Sequence, residues 1–227
     1  MKRIKLGILR ETKNPPDHRV ALPPASAIEV TNRFPNVEVV VQPSPNRCFT
    51  DDEYLNSGIK LQEDLSDCEW LIGVKEVHLA ALLEGKKYLF FAHVAKKQTY
   101  NRPLLQEMLR KRNTLVDYEY LKDDHNLRLI AFGRWAGIIG TFNALLGWGI
   151  KTGLYHLHPA HLCFDRTEMD KQLDNLGVGK VRILVTGGGR VAMGAMETLA
   201  KLKIPEVTPD EYLTDVNRSP VFCRIDP

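Results

Sequence analysis

The stretch "ILVTGGGRVAMGAMETLAKLKIP", residues 183–205, decides the reading of the fold. An apolar, β-branched run leads into three glycines, and small and apolar residues at helical spacing follow them. Gly187, Gly189 and Ala192 fit the pattern G-x-G-x-x-G/A. In that pattern the first glycine makes a tight turn and the second lets backbone approach a pyrophosphate. A small third residue lets the helix pack against the strand. The helix that opens with Arg190 and Val191 presents free N–H groups and the positive end of its dipole to such an anion. The strand before and the helix after give the glycines the context that makes this a dinucleotide turn. The same residues also suit a plain tight β–α connection.

Working outward, "VRILVT" (181–186) and "VFCRID" (221–226) read as the first two strands of this unit, and "EVTPDEYLTDVNRSP" between them as an inserted loop. Asp226 ends the second strand, where an acid that binds a ribose hydroxyl belongs, although it lies farther along than the usual ~20 residues. It reads equally well as a surface carboxylate. A dinucleotide domain needs more strands than these two, so residues 181–227 are expected to form only part of one.

Upstream, short apolar runs alternate with helical patterns. "IKLGIL" (4–9), "VEVVVQ" (37–42), "WLIGV" (70–74), "YLFFA" (88–92) and "TLVDYE" (114–119) read as strands. Several are continuously apolar, as in a parallel sheet covered on both faces. "PPASAIEVTNRF" (23–34) and "RPLLQEMLRKR" (102–112) read as helices, and Thr50 with Glu53 forms a capping box for a third. The expected class is therefore α/β, with two Rossmann-like parallel-sheet domains, the second truncated after about two strands. The domains are placed at 1–132 and 181–227, with an inter-domain helix and a polar connection over 133–180. The glycine-spotted stretch 129–150 has the length of a membrane span but carries Arg134 and Asn143, and is read as a buried helix.

Composition excludes several classes. A net charge of +3, without a basic face, argues against nucleic acid. The four cysteines, Cys48, Cys68, Cys163 and Cys223, are far apart, as in free thiols of a reducing compartment, and a cytoplasmic location is expected. His156, His158 and His161 with Cys163 have a spacing that metal tolerates, but Pro159 interrupts it, and no metal is expected. Neither a membrane nor a nucleic acid is an expected partner, and a homo-oligomer is compatible with the chain.

Three cationic side chains share one topological position. Arg19 lies in the loop after the first strand, Lys75 directly follows "WLIGV", and His93 follows "YLFFA". Ligands of open parallel sheets bind outside the carboxyl ends of the strands, and a cationic cluster there suits a substrate bearing carboxylates. Singly, each also reads as an ordinary loop charge or strand-end histidine.

In sequence order, "LGILRETKNPPDHRVALPP", "LIGVKE", "FFAHVAKKQ", "LVDYEYLKDDHNLRLIAFGRWAGIIG" and the glycine turn resemble the alanine dehydrogenase / pyridine nucleotide transhydrogenase superfamily. The resemblance covers nearly the whole chain and is closer to the saccharopine dehydrogenase branch. It implies an NAD-dependent oxidoreductase acting on the CH–NH bond of an amino acid, with NADP left open. Lys75 and His93 match the family's acid–base pair and Arg19 its substrate-carboxylate arginine. Glu76, Lys96 and Gln98 match polar residues of the cleft. Gly187 to Ala192 match the pyrophosphate turn, with Val191 where the branch often has cysteine. An alanine dehydrogenase is the alternative in the same class, and a non-catalytic module binding a nucleotide or metabolite is the alternative in another. This chain by itself is expected to be inactive and to bind NAD weakly.

Overall fold

In the computed structural model, residues 2–215 and 219–226 are described. The chain divides into two compact units, residues 1–131 and 132–227.

The first unit is built from β1 (Ile4–Ile8), α1 (Pro24–Arg33), β2 (Val37–Val41), α2 (Asp51–Asn56), β3 (Lys60–Leu61), β4 (Trp70–Lys75), β5 (Lys87–Phe91), α3 (Arg102–Arg110) and β6 (Thr114–Asp117). Every pairing is parallel, in the order β3-β2-β1-β4-β5-β6. This is a doubly wound sheet. Its strand order reverses between β1 and β4, which opens a crevice at their carboxyl ends. The expected strands all form, and the two-residue β3 is an addition at the sheet edge.

The continuous apolar runs are explained by a core on each face. Val39 and Val41 pack with Ile8, Ala27 and Tyr54, while Val40 between them packs with Leu71, Tyr88, Phe90 and Met108. Successive side chains of a strand point to opposite faces, so a sheet covered twice has no polar face to alternate with. The capping box at α2 forms as its spacing requires. The Thr50 hydroxyl accepts from the Glu53 N–H at 3.2 Å, and the Glu53 carboxylate accepts from the Thr50 N–H at 2.6 Å.

The second unit contains α4 (Gly133–Thr152), α5 (Arg166–Lys171), β7 (Arg182–Thr186), α6 (Arg190–Lys201), α7 (Pro209–Thr214) and β8 (Val221–Ile225). β7 and β8 form a two-stranded parallel sheet. The long helix and the connection after it belong to this unit and share its core, where Ile138, Phe142, Leu157, Met169, Leu173, Leu199 and Phe222 meet. Among the described residues, no helix is long and apolar enough to cross a membrane. Two stretches read as loop turn out to hold short helices. α5 is capped by Asp165, which accepts from the Glu168 N–H at 2.8 Å. α7 is capped by a second capping box, Thr208 with Glu211. Thr208-x-x-Glu211 has the same spacing as Thr50-x-x-Glu53, and Pro209 stands where a helix tolerates proline, so this signal was present in the sequence.

Candidate active site

The carboxyl ends of β1, β4, β5 and β6 carry the candidate groups of the first unit. Lys75 ends β4, and the pairing of β4 with β5 shifts register between Ile72 and Lys75. Such a bulge frees backbone N–H groups from the ladder and re-aims the side chain that follows it. The freed groups are taken up by Glu11, just beyond β1, whose carboxylate accepts from the N–H of Val74 at 2.7 Å and of Lys75 at 2.9 Å. Gly73 leaves room for this carboxylate, since a Cβ there would stand 3.3 Å from Glu11 Oε1. Burial pushes the Glu11 carboxyl above its usual range, and the two N–H groups only partly offset this.

His93 follows β5 in a left-handed conformation, φ 56°, which histidine enters more readily than most residues. Its N–H donates to Asp117, at the end of β6, at 2.9 Å. Its ring Nδ1 lies 2.9 Å from Glu119 Oε2, and the ring stacks on Phe91 with centroids 6.0 Å apart. Glu119 also pairs with Lys96 at 2.8 Å and with Arg128 at 3.4 Å. The Lys96 hydrogen bond, against some desolvation and with help from His93, holds the Glu119 carboxyl below its usual range. Thus Lys75 and His93 are fixed alike, each by a carboxylate from the end of the adjacent strand.

The structure corrects the picture of a purely cationic cluster. Arg19 grips Asp17 through two side-chain hydrogen bonds, at 2.9 and 2.5 Å, and the fork holds Asp17 below its usual range. Glu76 pairs with Lys13 at 2.9 Å. Gln98 is exposed at the start of a single 3-10 turn, Thr99–Asn101. The strand ends therefore alternate in charge. The carboxylates were harder to see because each meets its cation or N–H only after folding. Asp17, two residues from Arg19, and Glu119, inside the "DYEYL" block, were the legible ones.

In the second unit, β7 enters Gly187, whose φ of 94° suits glycine, and α6 begins after Gly189 without any side-chain cap. A helix start without a side-chain cap is where an anion is commonly held. Nothing stands within 4 Å of a Cβ placed on Gly189 or Gly187, so the approach is open. Ala192 is buried, while Arg190 and Val191 are exposed. Parallel pairing with β7 carries Asp226 back to the turn, and a Cβ on Gly188 would lie 1.9 Å from its Oδ2. An acid beside a glycine turn with an uncapped helix behind it fits a dinucleotide. Among the described residues, no three His, Cys, Asp or Glu side chains gather as a metal site. The His156 and His158 rings meet edge to face, 5.8 Å apart, and Cys163 accepts from the Gln172 amide.

These features define a Rossmann-like α/β protein with polar groups at its carboxyl strand ends. The family model for the alanine dehydrogenase/PNT N-terminal domain matches residues 7–139, more than half of the chain, and the chain belongs to that family. It is 32% identical over 224 residues to the mitochondrial alpha-aminoadipic semialdehyde synthase of Bos taurus, covering 91% of this chain and 24% of that protein. It is 30% identical to the NAD(+), L-lysine-forming saccharopine dehydrogenase of Yarrowia lipolytica, covering 89% of this chain and 58% of that protein. Among solved structures, an L-alanine dehydrogenase shares the fold with a TM-score of 0.60 at 16% identity, over 98% of this chain and 61% of the other. The chain thus spans from about a quarter to under three fifths of the curated relatives it matches.

Proposed function

We propose that this chain provides the acid–base and substrate groups, and the first part of the dinucleotide turn, of an NAD-dependent oxidoreductase. It would act on the CH–NH bond of an amino acid, with a saccharopine-like substrate giving lysine and 2-oxoglutarate. The observation that carries this reading is the matched fixing of Lys75 and His93 at neighbouring strand ends, by Glu11 and Asp117. The names of the relatives favour the saccharopine branch over alanine dehydrogenase.

The uncapped start of α6, Gly187, Gly189 and Asp226 would hold the dinucleotide. When bound, its nicotinamide supplies a hydride acceptor. Lys75 takes one proton from the substrate's secondary ammonium, so that loss of hydride from the adjacent carbon leaves a protonated imine. His93, with Glu119 at its Nδ1, takes a proton from the water that adds to the imine carbon. The same group returns a proton to nitrogen, and as the C–N bond of the carbinolamine breaks its hydroxyl proton passes to solvent, releasing an amine and a 2-oxo acid. Arg19 orients a substrate carboxylate, and Lys96 and Glu76 line the approach.

The test is steady-state turnover of the full-length protein, followed by NADH absorbance. Lys75→Met and His93→Gln should each lower kcat by about 10²- to 10⁴-fold with saccharopine as substrate. Near wild-type rates in both would refute the assignment. Turnover of alanine but not saccharopine would move the protein to the alanine dehydrogenase class.

A further inference from the structure

Arg19 sits in the long loop between β1 and α1, and a loop of that length needs anchors to hold one side chain in place. Its anchors come from the connection between β2 and α2 and from α2 itself. The Cys48 N–H donates to the His18 carbonyl at 2.7 Å, and the His18 ring Nδ1 donates to the Asn46 carbonyl. Farther along the same loop, the Tyr54 hydroxyl donates to the Leu22 carbonyl at 2.6 Å. Arg19 therefore lies between two points that are tied down.

Both ties meet at Arg47. Its side chain is only 5% exposed. The guanidinium donates to the carbonyls of Phe49 and Gln42, each at 2.7 Å, and to the Asp51 carboxylate. It also lies over the Tyr54 ring, 4.4 Å from its centroid. One plane of donors thus closes the 42–51 connection on both sides of Cys48, and its face steadies the tyrosine that holds Leu22. A lysine could not do this, since an ammonium offers no rigid fork and no flat face.

We infer that Arg47 is a positioning residue for Arg19, and that it sets substrate affinity rather than the rate of the chemical step. The inference rests on the reading of Arg19 as the group that orients a substrate carboxylate. Arg47 touches no reacting atom. It acts through the loop it holds.

Hydrogen exchange of this chain, read by NMR at single amides, tests the hold. The Cys48 N–H reports the bond to His18, and the Arg19 N–H the bond to Asp17 at 3.1 Å. Arg47→Met should speed exchange at both by about tenfold or more, and at the amides of β4 by less. In the full-length protein it should raise KM for saccharopine about tenfold and leave kcat within about threefold. A merely structural role would instead lower the active fraction, and with it kcat, at constant KM. Tyr54→Phe serves if Arg47→Met fails to fold, because it keeps the ring under the guanidinium and removes only the bond to Leu22. It should speed exchange at Arg19 and raise KM, each by about threefold or more. Unchanged exchange in the folded variant, an equal change in β4, or a fall in kcat at constant KM would each overturn the inference. A wild-type protein that turns over no saccharopine would sink the proposed oxidation instead, and the exchange rates would still decide whether Arg47 holds the loop.

Discussion

At the strand ends of the first unit, Lys75 and His93 are each set by a side chain from elsewhere in the sheet. Glu11 holds the backbone at Lys75, Asp117 holds His93, and Glu119 gathers His93, Lys96 and Arg128. The glycine turn of the second unit works the other way. It offers backbone N–H groups, and its shape is kept by close approach of main chains rather than by charge. α4 and α6 cross so tightly that a Cβ on Gly137 would lie 1.9 Å from the Val191 carbonyl, and one on Gly194 1.9 Å from that of Arg134. A fork from Arg134 to Glu197, at 2.6 and 2.7 Å, decorates the same crossing on its exposed side. The first design should tolerate change in packing better than change in charge, and the second the reverse.

Four substitutions probe this contrast. The largest effect is expected at the helix crossing. Gly194→Val forces backbone apart and should destabilise the second unit by about 3 kcal/mol or more, read from urea unfolding. A loss below about 1 kcal/mol would show that the crossing is loose. Next comes Glu11→Leu, which keeps volume but strands two buried N–H groups, and should cost about 2 kcal/mol of first-unit stability. It should also reduce kcat of the full-length protein more than KM changes, since Lys75 loses its backbone anchor.

Gly188→Ala should do less to stability, within about 1 kcal/mol, because the clash is with the movable end of Asp226. Its signature would be weaker dinucleotide binding by the full-length protein, and unchanged affinity would remove Asp226 from the proposed site. The smallest effect is a pH dependence. The Glu11 carboxyl is raised in the folded state, so its protonated form favours folding. That contribution is present below its ordinary range near 4.5 and is lost as pH rises through the raised value. Glu11→Gln should therefore be less destabilising, relative to wild type, at pH 7 than at pH 4. The opposite trend would mean that the two N–H bonds outweigh burial.

By itself the sequence determined what depends on neighbours along the chain. The strands of the first sheet, the capping box at Thr50, the glycine turn and its helix, and the order of motifs that marks the family were all legible. The helix at Pro209 was legible as well, through Thr208 and Glu211, but proline and a polar composition made it look like a loop. Only the tertiary structure decided what depends on residues far apart. The pairing of Glu11 with Lys75, 64 positions away, has no local pattern to announce it. The same holds for the bond from Cys48 to His18, and for the demand that Gly137 and Gly194 be glycine. The physical reason is one of range. Caps, turns and hydrophobic periodicity are satisfied within a few residues, so they are written locally. A buried carboxylate, loop anchor or helix crossing is satisfied only by whatever the fold brings alongside it.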